Sequence, residues 1–72
     1  MQNPEDRVRE LIRSIDGALF SDICDEECGR VAGYLLALDE FNILSGTLLD
    51  ELKQEAKEAE ERRRKWLKKN DR

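Results

Sequence analysis

The chain has 72 residues, 42% of them charged, with a net charge of −4, two cysteines and no histidine. A chain this short forms at most one domain and buries only about 60% of its unfolded surface, so oligomerisation, a metal or disulfides are its usual supports. The composition excludes a membrane-spanning helix, since no run approaches about 18 consecutive apolar residues. The missing histidine removes the usual general base, the Ser–His and Cys–His nucleophile pairs and imidazole metal ligands.

The opening stretch MQNPEDRVRE lacks the apolar region of a signal peptide, which makes a cytoplasmic location with reduced cysteines the expectation. Asn3-Pro4-Glu5-Asp6 reads as a helix start. Asn3 is the candidate N-cap, Pro4 suits the first helical position, and the two acids sit where the helix dipole favours negative charge. Val8, Leu11, Ile12, Ile15, Ala18 and Leu19 then follow at helical spacing on one stripe, with Arg7, Arg9, Glu10 and Arg13 off it. The pattern predicts a first helix over about 4–19, ending between Asp16 and Phe20 near Gly17.

Ser21 and Asp22 are both candidate caps for a second helix, whose first turn carries Asp25, Glu26 and Glu27. This helix is predicted over about 24–41 and contains the stretch around which the chain is organised, Val31 to Leu44. At 100° per residue Cys24, Cys28, Val31, Leu35 and Leu38 share one line, flanked by Ala32, Leu36 and Ile43 on one side and by Tyr34 and Phe41 on the other. The apolar arc spans roughly 220°, too wide for the roughly 100° stripe of an ordinary surface helix. Gly29, Gly33 and Ala37 form a second line of small side chains, and such a row lets another helix backbone approach closely. A crossing within the chain and a contact with a second subunit or partner are both open for it. Asp39 falls inside the apolar arc; either the arc opens to water there, or Asp39 pairs with an arginine such as Arg63.

Asn42 is a candidate left-handed C-cap, with Ile43 and Leu44 tucked under the turn. Ser45 or Thr47 can cap a third helix, Thr47 with Asp50 in a weak capping box. That helix is predicted over about 47–69. Leu49, Leu52, Ala56, Ala59, Arg63 and Trp66 form a short heptad seam along it. Glu58–Arg62, Glu60–Arg64 and Glu61–Lys65 are i,i+4 pairs in the favourable order. The helix is long enough for its last two turns, with Trp66 and Leu67, to project beyond the body.

Charge is divided unevenly. Residues 1–61 hold six basic and sixteen acidic residues, a net of −10, whereas residues 62–72 hold seven basic and one acidic, a net of +6. The basic cluster Arg62, Arg63, Arg64, Lys65, Lys68 and Lys69 is open to three readings. It can be a solvated face suited to a helix C-terminus, a contact for an acidic protein surface, or a set of phosphate contacts with Trp66 to stack on a base. The acidic remainder opposes the last.

Cys24 and Cys28 supply two of the four ligands a structural zinc needs. Small core residues are the preferred reading, and no metal or cofactor is expected. The segment from Leu36 to Leu52, LALDEFNILSGTLLDEL, resembles the helix–turn–helix hairpins of short bacterial and phage domains of the SHOCT type. It departs from them at Asn42, where they favour glycine, and at Leu48-Leu49, where they favour an acid–aromatic pair. The resemblance implies a role in assembly.

The expectation is an all-α chain, a three-helix hairpin or bundle with a long C-terminal helix, which self-associates, foremost as a homodimer. Its expected role is non-catalytic binding of another protein, as a small regulator, adaptor or inhibitor, with the interface drawn from Gly29, Gly33, Ala37, Ala59, Arg63, Trp66 and Leu67. The alternative is a nucleic-acid-associated regulator that uses the basic C-terminal helix.

Overall fold

The structure, a computed structural model, describes residues 3–70. Three helices make it up: α1 (Pro4–Asp16), α2 (Ser21–Glu40) and α3 (Gly46–Lys69). Each packs on both of the others, in a body 41 × 23 × 17 Å along its principal axes. With about 1.5 Å of rise per residue, α3 is about 36 Å long and sets the long axis.

The helix boundaries follow from local chemistry. The Asn3 side chain accepts a hydrogen bond from the Glu5 N–H at 2.8 Å, with Pro4 opening the helix. α1 stops at Asp16 because its last turn tightens into i→i−3 bonds, Gly17 to Ser14 and Ala18 to Ile15. The chain then leaves the helical path, so Leu19 does not continue the stripe; it is 66% exposed, while Val8, Leu11, Ile12, Ile15 and Ala18 are buried.

α2 begins about three residues earlier than predicted. Phe20 is the N-cap, its carbonyl taking the first helical bond from the Cys24 N–H at 3.0 Å. Ser21 and Asp22 are therefore inside the helix, and the Asp22 carboxylate accepts from the neighbouring Ile23 N–H. At the far end the Ile43 N–H bonds the Leu38 carbonyl and the Asn42 N–H bonds the Asp39 carbonyl, with Asn42 at φ 54°. This is the Schellman closure that a left-handed residue after a helix permits. Leu44 packs against the core beneath it, but Ile43 is turned outward. Ser45 precedes α3 in extended conformation without a side-chain cap bond, so the capping box does not form. Gly46 starts α3 at φ 67°, a conformation that side chains with a Cβ rarely adopt.

The core is one cluster of twelve side chains drawn from all three helices and the start of the α1–α2 connection, and among the described residues it holds no buried polar side chain. Val8, Ile15, Val31 and Leu52 are almost wholly enclosed. Polar links stitch the outside. Arg9 bridges α1 to Glu55 on α3 at 2.8 Å, and Arg62 on α3 reaches Asp16 at 3.2 Å.

The end of α3 lies against the body instead of projecting from it. Leu67 packs against the core, Arg63 Nε donates to the Ala18 carbonyl at 2.6 Å, and Arg64 pairs with Asp25 at 2.7 Å. Of the three predicted i,i+4 pairs only Glu60–Arg64 forms among the described residues, because Arg62 turns to Asp16.

Leu52 and Leu19 separate this packing from the one expected from periodicity. Leu52→Ala should cost about 2–5 kcal/mol, as core leucine truncations do, and lower the urea midpoint of a dilute sample accordingly. Leu19→Ala should stay within about 0.5 kcal/mol, as exposed positions do. A large loss at Leu19, or none at Leu52, would contradict the arrangement.

Candidate protein-binding surface

α2 buries Cys24, Val31, Leu35 and Leu38 against its two neighbours, which fixes its opposite side as an outer face. Gly29 and Gly33 lie on that side, and a Cβ added at either would meet nothing within 4 Å. Among the described residues no helix crosses them, so a close crossing of these three helices does not explain the row. Ala37 continues the row half-buried, and beside it Ala32 is exposed and Leu36 is 57% exposed.

A shallow groove between α2 and α3, of about 430 Å³, adjoins this row. Val31, Leu35 and Ile15 form its floor, Leu36 and Ala56 stand on either side, and Lys53 and Glu60 are at the rim. Asp39 sits there too, exposed, 3.9 Å from Lys53. It opens to water at the edge of the arc and does not meet Arg63.

The other predicted interface residues are occupied within the chain. Ala59 is fully buried, so its methyl group belongs to the core. Arg63 bonds the Ala18 carbonyl and lays its guanidinium 3.9 Å from the centre of the Trp66 ring. That cation–π contact, worth about 0.5–1 kcal/mol near the surface, holds one side of an indole that is still 40% exposed. Leu67 packs against the core. What the structure leaves open is the Gly29–Gly33–Ala37 row with Ala32 and Leu36.

Two exposed apolar clusters were not legible as such. Leu19, Phe20 and Ile23 gather at the α1–α2 corner, and Phe41 and Ile43 at the α2–α3 turn. Periodicity assigns Leu19, Phe41 and Ile43 to apolar stripes. The available signal was the turn chemistry beside them, Gly17 and Asn42, which ends each helix before those residues can point inward.

The basic cluster is partly neutralised in place. Arg62 pairs with Asp16, Arg63 serves a carbonyl, and Arg64 lies between Asp25 and Glu60, whose hydrogen bonds hold its proton more tightly still. Among the described residues, Lys65, Lys68 and Lys69 of the predicted phosphate contacts have neither an ion pair nor a hydrogen bond, and Arg63 has no ion pair but is held by the Ala18 carbonyl. The sulfur atoms of Cys24 and Cys28 are 4.0 Å apart, both thiols free. Burial, then the neighbouring Cys24 and the Glu60 carboxylate, pushes the Cys28 thiol from 9.0 up to about 12. No group of three or more metal-ligating side chains is assembled among the described residues, and none of their helices is long and apolar enough to cross a membrane.

Two measurements bear on these assignments. With three unpaired lysines the salt slope for duplex DNA should be no steeper than about −3, and binding weaker than about 10⁻⁴ M at physiological salt. A micromolar dissociation constant in fluorescence anisotropy would overturn that reading. For Cys28, the folded chain keeps the proton while the unfolded chain releases it above pH 9.0, so the thiol's contribution to stability falls as pH rises from 9.0 toward about 12. Iodoacetamide at pH 8 should label native Cys28 about ten-fold or more slower than the urea-unfolded chain, since the thiolate is the reacting species. Equal rates would contradict the shift.

No protein-family profile, curated protein or solved structure matches this chain, the hairpin resemblance included.

Proposed function

We propose that this chain is a small non-catalytic helical protein that binds another protein, as a regulator, adaptor or inhibitor, and that it pairs with itself through the outer face of α2. One observation carries the reading. Gly29 and Gly33 stand in the middle of a 20-residue helix with open space above them. Glycine in a helix interior costs about 1 kcal/mol relative to alanine, and nothing inside the chain offsets it. A row without Cβ atoms offsets it when a second helix lies close along it.

The neighbouring residues support the same use. Leu36 and Ala32 border the row and overhang the groove between α2 and α3, so a helix laid on the face would also have a place for an apolar side chain. Removing such surface from water contributes about 25 cal/mol per Å². A twofold arrangement doubles the gain, because the same patch is used on both copies.

Gly33→Leu tests the face cleanly. The substitution has room in the single chain and favours the helix, so the fold should persist or gain stability. It should block close approach of a second helix. Light scattering on the unaltered chain should give a mass near twice 8.4 kDa at about 100 μM, and the variant should return toward one chain's mass. A mass of one chain for the unaltered protein at that concentration would rule the pairing out.

A further inference from the structure

We infer that Cys24 and Cys28 form a two-coordinate site for a soft monovalent cation, Cu(I), on the inner side of α2 within a single chain. The inference uses neither the glycine row nor pairing through the outer face.

The geometry follows from helical spacing. Residues four apart stand one above the other, about 6 Å along the axis, with Cβ atoms about 5–6 Å apart. The two side chains lean toward each other and bring their sulfurs to 4.0 Å. The possible uses of two thiols make different demands. A disulfide needs sulfurs at about 2.05 Å and Cβ atoms near 3.8 Å, so a turn of α2 would have to distort to form one. A structural zinc needs four ligands, and among the described residues no third His, Cys, Asp or Glu completes a cluster with the pair. A linear, two-coordinate ion needs one sulfur on each side and nothing else. An ion midway between these sulfurs would stand 2.0 Å from each, half of their 4.0 Å separation. Metal–thiolate bonds are somewhat longer, about 2.3 Å for zinc. A small outward turn of either side chain supplies the difference. Thiolates are also the ligands that select Cu(I) over hard cations.

The surroundings suit a soft ion. Cys24 is fully enclosed, which keeps water from completing the coordination of a hard cation. Cys28 is half-buried and lines the groove between α2 and α3 beside Val31, Ala32 and Leu35, which gives an ion a way in. On binding, two S–H bonds break, two S–Cu bonds form and two protons pass to water. Copper stays in its +1 state, so no oxidant or reductant takes part, and the site goes from neutral to a single negative charge. The charged groups of α3 that act on Cys28 are Glu60, which opposes that charge, and Arg64, which favours it.

The test adds Cu(I) without oxygen to the full chain, reduced with a phosphine, in competition with a chromophoric Cu(I) chelator. The unaltered chain should withdraw one Cu(I) per chain, and X-ray absorption should show two sulfur neighbours and no other ligand. Cys28→Ala and Cys24→Ala should each lose this retention, with circular dichroism showing the helices intact. Cys28→Ala decides if the core substitution at Cys24 unfolds the chain, because Cys28 is only half-buried. One equivalent of Cu(I) should also raise the urea midpoint of the unaltered chain and leave that of Cys28→Ala where it was, since only the folded chain holds both sulfurs in place.

Failure of the unaltered chain to withdraw copper overturns the inference, as does retention by folded Cys28→Ala. A midpoint lowered by Cu(I) also overturns it, because the unfolded chain would then be the better ligand. Three or four sulfurs around the copper, or one copper per two chains, would overturn it and assign the thiols to a site between copies.

Discussion

Three helices share one small core, and the rest of the molecule depends on how α2 contributes to it. Val31, Leu35 and Leu38 lie along one line of α2, and Ile15, Leu49 and Leu52 come from the two neighbours. A helix with two neighbours commits less than half of its circumference to them. Among the described residues no fourth element covers the remainder. The outer face of α2, with its two glycines, thus follows from the three-helix topology, as do the apolar side chains stranded where α1 and α2 stop.

The core explains the polar surface as well. None of the twelve enclosed side chains is polar or charged, so the ion pairs stand at the rim of the helix contacts. Pairs this exposed contribute little individually. Their consequence is for charge: Asp16 and Asp25 hold two of the C-terminal arginines, and the Ala18 carbonyl holds a third. The contrast between the acidic body and the basic tail is therefore softened by folding. The same links draw the end of α3 onto the α1–α2 corner and bring Leu67 against the core.

Much of the fold was legible in the sequence. Asn3-Pro4 marks the start of α1, the lines Val8–Leu11–Ile15 and Val31–Leu35–Leu38 mark the buried faces, and Asn42 marks the end of α2. These are local signals, and local chemistry decides them. The errors fall where a tertiary contact or a competing turn wins. Leu19 is on the stripe by spacing but beyond the tightened turn at Gly17. Ser21 and Asp22 have the chemistry of caps, yet Phe20 takes that place because the connection is short. Arg63, Trp66 and Leu67 read as a free seam, since no one-dimensional pattern reveals that the Ala18 carbonyl waits for a guanidinium. For the candidate surface, the Gly29–Gly33–Ala37 row was visible by spacing, whereas the absence of any neighbour over it required the structure.

If α2 is the face on which copies meet, nuclei on it must be close to nuclei of a different molecule. An isotope-filtered nuclear Overhauser experiment on a mixture of labelled and unlabelled chains detects only such pairs. The expected result is cross-peaks linking the Gly33 α-protons and the Ala32 and Leu36 methyls of one copy to α2 of the other. Filtered spectra without any α2 signal, from a sample concentrated enough to associate, would contradict pairing through this face.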